Sequence, residues 1–180
     1  IMTIMIGGGD IYSDDHVTLS GDGARFDADT AYLGKNSQTI DYNIVADHFG
    51  KKTESLITVN GALTDSAKKV FRGTIDFKKG SADSVGSENE TVLMLGDDVV
   101  NKTVPLILCA EENVEGTHGA TIGELDADTI FYFESRGIDR ETAERIMAYA
   151  AVERLIHMAE DSEFAAEAEK TMGTKTDTEE

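Results

Sequence analysis

The sequence predicts a mainly β chain that turns helical toward its end. Three observations carry this. Between Asp10 and Cys109, seven short segments alternate apolar and polar side chains, the period that puts one side of a strand in a core and the other in water. Glycines 21, 23, 34, 50, 61, 80, 86 and 96 punctuate those segments, as turns favour residues that accept positive φ. Helical spacing takes over only after a junction at 116–123.

The elements follow in order. Residues 1–9 are an apolar stub ending in Gly7-Gly8-Gly9. Strands are predicted over 16–20, 24–33, 39–46, 55–60, 69–77, 91–95 and 104–109. With no helix between them, the region is all-β, and periodicity leaves sandwich, barrel and β-solenoid open. The junction holds one histidine, His118, between glycines that allow a tight turn. Asp126 is suited to cap a helix over 127–136, and Gly137 to end it. Asp139 caps a second helix, with Glu141 and Glu144 at its positive end. In that helix Ala143, Ile146, Met147, Ala150, Ala151, Leu155 and Met158 form the expected packing stripe. The expected organisation is a β core over 1–115, a helical region over 116–165 and a disordered tail over 166–180.

Composition narrows the function. The net charge is -19 and hydrophobic residues make up 40% of the chain, enough for a core. Such a surface repels phosphates and anionic lipid heads, so nucleic acid and membrane are not expected partners. No run approaches a membrane span and no basic, apolar leader is visible. The single cysteine, Cys109, fits a reducing cytoplasm. A first residue other than Met is read as the start of a piece of a longer protein. There is no P-loop, so no direct ATP site is expected, and there is no nucleophile elbow or CxxC motif.

His118 is the sharpest candidate, because imidazole binds iron and moves protons near neutral pH; the plainer role is a histidine bonding a turn. Cys109 could supply a thiolate for iron or accept a persulfide, although its place after Leu106-Ile107-Leu108 suits a small buried hydrophobe. Glu112, Glu115, Glu124 and Asp126 lie near His118 in sequence, and carboxylate with imidazole suits ferrous iron. His48 reads as structural; His16 and His157 read as surface residues. Asp14, Asp15, Asp22, Asp27 and Asp29 are solvated turn acids or, on a rival reading, carboxylates of a carbohydrate-active β-helix.

The run His118-Gly119-Ala120-Thr121-Ile122-Gly123-Glu124-Leu125-Asp126, then Phe131-Tyr132-Phe133-Glu134-Ser135-Arg136-Gly137-Ile138, resembles the C-terminal part of the SufB/SufD family of iron–sulfur cluster assembly proteins, the SufD branch more closely. The resemblance reaches from about Gly21 to Leu155 and includes Phe71-Arg72-Gly73. It implies a right-handed parallel β-helix followed by C-terminal helices. It implies a non-catalytic scaffold that pairs with a SufB/SufD-type subunit or a second copy of itself. It also implies docking of an SufC-like ABC ATPase through Phe131, Tyr132, Arg136, Gly137 and Arg140, with ATP hydrolysed by that partner. His118 would stand at the assembly site of a transient iron–sulfur cluster, with Cys109 and Glu115 as further ligand candidates. Two departures matter. Gly116-Thr117 stands where SufD proteins often carry Cys-Ser, and about Glu90 stands where SufB proteins carry a functional cysteine. Both point to a supporting, SufD-like role or to a divergent paralogue. The alternative is a carbohydrate-binding or carbohydrate-cleaving β-helix.

Overall fold

The computed structural model describes residues 1–172. Nine strands come first: β1 (Met2–Met5), β2 (Ile11–Leu19), β3 (Arg25–Gly34), β4 (Thr39–His48), β5 (Glu54–Thr64), β6 (Lys68–Phe77), β7 (Ser84–Leu95), β8 (Val100–Cys109) and β9 (Val114–Gly123). Helices α1 (Ala127–Glu134), α2 (Arg140–Met158) and α3 (Ser162–Met172) follow. Every strand pairing is parallel and skips one strand. The order is β1-β3-β5-β7-β9 in one sheet and β2-β4-β6-β8 in the other. The chain is therefore a parallel β-solenoid of about 4 turns followed by three helices, the option among three that alternation left open.

The rungs are locked at their corners. The Asp10, Asp22 and Asp65 carboxylates accept backbone N–H bonds from Thr39, Lys51 and Asn36 at 2.7, 2.9 and 2.7 Å, each bond spanning 29 residues. Asn36, Lys52, Asp65 and Asp83 take positive φ at these corners. Aspartate and asparagine tolerate that conformation and bond the neighbouring backbone. Asp22, which read as a solvated turn acid, thus closes one rung on the next, as do Asp10 and Asp65.

Two cores result. Inside the solenoid, Ile40, Ile44, Ile57, Phe71, Ile75 and Phe77 are fully buried, and the Tyr42 and Phe71 rings stack across β4 and β6 at 5.6 Å. Outside it, α2 covers the odd-numbered sheet, where Ala148, Val152, Leu155 and Ile156 meet Ala31, Leu33, Ala62 and Leu95. Each fully buried Leu, Ile or Val side chain stabilises by about 1.5–3 kcal/mol.

The structure departs from the sequence reading in five places. The N-terminal stub holds a strand, β1, paired with β3. Strands β2, β7 and β8 begin earlier than expected, at Ile11, Ser84 and Val100. The junction around His118 is not a tight turn; it lies in β9, paired along β7. The α2 stripe is rotated: Ile146 and Met158 are exposed, and Ala148, Val152 and Ile156 are buried instead. Apolar residues surround this helix, so spacing alone does not pick the buried side, whereas small Ala148 lets the axis approach the sheet. Finally, residues 166–172, expected to be disordered, belong to α3, where Ala168 and Met172 are buried against α2 and the sheet. The rest of that tail, 173–180, lies outside the described residues.

Candidate functional site at the open end of the solenoid

Strand β7 extends its alternation through a polar half. Ser84, Gly86, Glu88, Glu90 and Val92 face inward. In register on β9 stand Val114, Gly116, His118, Ala120 and Ile122. On the other sheet, the inward Lys69, Phe71, Gly73, Ile75 and Phe77 of β6 pair with Asn101, Thr103, Pro105, Ile107 and Cys109 of β8. Strands β8 and β9 end their sheets, with no further strand among the described residues to pair them. The last rung therefore presents its interior to solvent.

His118 sits in that rung. Its side chain is 26% exposed, and Nδ1 lies 3.2 Å from Oε1 of Glu88. Glu88 is buried, and Oε1 has no hydrogen-bond partner within the protein: the two groups are close without being aligned. Burial and the neighbouring Glu90 push the Glu88 carboxyl up to about 7, against the opposing pull of Lys69. Gly73 makes room for it, since a Cβ there would collide with the Glu88 carboxylate.

Behind Glu88 lies an ion pair inside the solenoid. Lys69 donates to Glu90 and to Thr103, the latter at 3.2 Å, and Thr103 donates to Glu90 at 2.6 Å. The ammonium lies 5.7 Å from the Tyr32 ring centre and 5.5 Å from that of Phe71. Burial lowers the Lys69 pKa, with Glu90 opposing. The Tyr32 hydroxyl is also buried without a partner.

The other candidates fall elsewhere. Cys109 is exposed rather than buried, because no strand among the described residues lies beyond β8 to cover it. It does not join His118: Gly73 faces Glu88, which sets Pro105 opposite His118, and Cys109 lies four residues further along β8, roughly 13 Å away at the rise of a strand. Glu115 is out of phase with His118 on β9 and is exposed on the other side of the strand. Among the described residues, no group of three or more His, Cys, Asp or Glu is placed to hold a metal ion. The donor set of this one chain therefore does not complete a cluster site, and His118 offers a single nitrogen at an open edge.

His48 shows the opposite environment. It is buried in β4, with Nδ1 bonded to Thr53 at 2.7 Å and Nε2 to Ser55 at 2.9 Å. His16 and His157 are on the surface, paired with Asp47 and Glu153. The five aspartates of the rival reading are spread along the corners and faces. Asp14 accepts from Asn43 and Asp22 from Lys51, Asp15 accepts from Ser13, Asp27 pairs with Arg25, and Asp29 pairs with Arg154.

A second exposed region follows the last rung. Asp126 accepts the Thr129 N–H and Asp139 the Thr142 N–H, capping α1 and α2. Gly137 turns the chain between them at φ 78. No residue of α1 is buried, and Phe131 and Tyr132 are 70% and 53% exposed. The Arg136 guanidinium stacks on the Tyr132 ring at 3.7 Å, and Arg140 pairs with Glu144. No helix among the described residues is long and apolar enough to cross a membrane.

Glu88 and Lys69 were not singled out from sequence, and Glu90 was named only as the counterpart of a family cysteine, although a signal existed. Glu88 and Glu90 are in phase with apolar Val92 two residues on, so extending the alternation backward from 91 places both inside.

Comparison with known proteins agrees with this geometry. Residues 1–151 match the family model described as SUF system FeS cluster assembly, SufBD core domain. The chain is 33% identical over 141 residues to the iron–sulfur cluster assembly protein SufD of Bacillus subtilis, covering 78% of this chain and 32% of that protein. It is 23% identical over 159 residues to SufD of Escherichia coli, covering 88% of this chain and 38% of that protein. It is 26% identical over 159 residues to the chloroplastic SufBD family protein ABCI8 of Arabidopsis thaliana, covering 88% and 28%. The chain spans about a third of the length of these relatives. The solenoid, its polar inner column and these matches lead to one statement: the chain belongs to the SufBD family of iron–sulfur cluster assembly proteins.

Proposed function

We propose that this chain is the core of a scaffold subunit in a Suf-type iron–sulfur cluster assembly complex. The observation that carries the reading is the uncapped last rung, with His118 on its inner column. A rung with free strand edges and exposed Val104, Leu106, Leu108 and Ile122 suits edge-to-edge pairing with a SufB/SufD-type subunit or a second copy. Ligands from that partner would complete what His118 begins, and Cys109, exposed on the same rung, is the second candidate. Helix α1 and the start of α2, with Phe131, Tyr132, Arg136, Gly137 and Arg140, form the docking surface for an SufC-like ABC ATPase. The scaffold is non-catalytic; ATP is hydrolysed by that partner, in the cytoplasm or an equivalent reducing compartment. The cluster is cargo, held between subunits while it is built. The dispersed aspartates give the carbohydrate reading no site.

The test uses the full-length protein, co-expressed with its ATPase and paired subunit and purified without oxygen. Light scattering gives the assembly mass and visible absorbance the iron–sulfur content, for wild type and His118→Ala. The expected result is an intact complex whose iron absorbance falls several-fold in the variant. Unchanged iron removes His118 from the assembly site, and failure to form any complex removes the scaffold reading.

A further inference from the structure

We propose that Glu88 is the positioning residue of His118: its carboxylate takes the Nδ1–H of the imidazole and leaves Nε2 as the unprotonated nitrogen available to a metal ion. The inference deepens the reading of His118 as an assembly residue and rests on it.

Three observations meet at this pair. First, the two side chains occupy the same inner position of adjacent strands, 3.2 Å apart at Nδ1 and Oε1. Second, Glu88 is 2% exposed, yet Oε1 has no hydrogen-bond partner. An unpartnered buried acceptor is costly, so a ring N–H beside it is drawn into that bond by a small rotation. Lys69 does not serve instead: its ammonium donates to Glu90 and Thr103 and makes no hydrogen bond to Glu88 Oε1. Third, the carboxylate occupies space that exists only because residue 73 is glycine. A carboxyl serving packing alone would be replaced at lower cost by an apolar side chain, as at Val92 in the same column. A carboxylate behind a ligating imidazole fixes the tautomer and the ring orientation, and losing such a partner typically lowers metal affinity 10–100-fold.

The experiment reads the tautomer directly. Full-length protein carrying 15N-histidine is studied by long-range proton–nitrogen correlation at pH 8, with the His118 signals assigned by their loss in His118→Ala. Ferrous ion is then titrated anaerobically into the complex with the paired subunit, carrying wild type, Glu88→Leu, Glu88→Gln or His118→Ala. The wild type is expected to hold the Nδ1–H tautomer. Glu88→Leu is expected to shift His118 to the Nε2–H form preferred by free imidazole and to weaken ferrous binding at least 10-fold. Glu88→Gln keeps an acceptor oxygen and is expected to restore both. A wild-type His118 in the Nε2–H form overturns the proposal without need of any variant. So does a tautomer that Glu88→Leu leaves alone, or a shift that leaves ferrous binding intact while His118→Ala abolishes it. A shift with ferrous binding unchanged in both Glu88→Leu and His118→Ala supports the pair and overturns the assembly role of His118.

Discussion

Ile75 and Ile107 are partners in register on β6 and β8, and both face inward. Ile75 is fully buried; Ile107 is only partly covered. Glu88 and His118 repeat the contrast on β7 and β9, at 2% and 26% side-chain exposure. Alternation decides which way a side chain faces, and the next strand decides whether that face is sealed. Sealed rungs store stability, whereas the unsealed rung keeps its chemistry accessible and its edges unpaired. The same residue types thus have different consequences one rung apart.

The largest effect that tests this contrast is a truncation in each region. Phe77→Ala removes a fully buried ring from the sealed part and is expected to cost about 4 kcal/mol in urea unfolding. Ile107→Ala, at the inward but only partly covered position of β8, is expected to cost clearly less, about 1 kcal/mol. In the full-length protein the same change should weaken subunit pairing, read as a shift toward lower mass in light scattering. Equal stability losses at the two sites would erase the contrast.

A smaller effect tests the polar interior. Lys69→Met leaves Glu90 buried without its cation and is expected to cost about 3 kcal/mol, because a lone buried charge is worse than none. The double variant Lys69→Met, Glu90→Leu is expected to recover most of that loss in the same unfolding assay. If the double variant is as unstable as the single one, the pair contributes through Lys69 packing on Tyr32 and Phe71 rather than through charge.

Much of this architecture was legible in the sequence, and the misses share a cause. Strands with clean alternation, such as 69–77, were found nearly to the residue. The polar half of β7 was missed because glutamates at inward positions break the apolar template, and burial of Glu88 and Glu90 depends on Gly73 and Lys69 on the other sheet. The 116–123 stretch read as a turn because Gly116 and Gly119 suggest bends. In the solenoid Gly116 is there for proximity instead: a Cβ would press on Ile107 across the rung. Cys109 read as buried because its apolar run suggests a core strand, and nothing local reveals that β8 is the last strand of its sheet. Rung spacing was present in the aspartates and asparagines 29 residues apart, but these pairs are set by corner geometry and resemble ordinary turn acids.

The smallest effect comes from comparing the two inward histidines. His48 is sealed among Thr53, Ser55 and Phe77. Burial lowers its folded-state pKa below 6.5, with Asp47 and Asp76 opposing. In the unfolded chain this ring takes up a proton near 6.5, while the folded protein resists protonation. Its contribution to stability is therefore full above pH 6.5 and is lost as pH falls through the folded pKa. The Glu88 carboxyl, raised to about 7, acts in the opposite sense over the same range, so urea unfolding of the wild type at pH 5.5 and 7.5 reads the sum of the two, and His48→Gln, which keeps a polar partner for the two hydroxyls, should shift the response toward greater stability at pH 5.5 relative to pH 7.5. His118→Gln should leave the wild-type difference in place, because that ring stands at the open end of the solenoid rather than sealed in its core. If His118→Gln rather than His48→Gln produces that shift, the acid sensitivity belongs to the open rung, and burial is not what separates the two histidines.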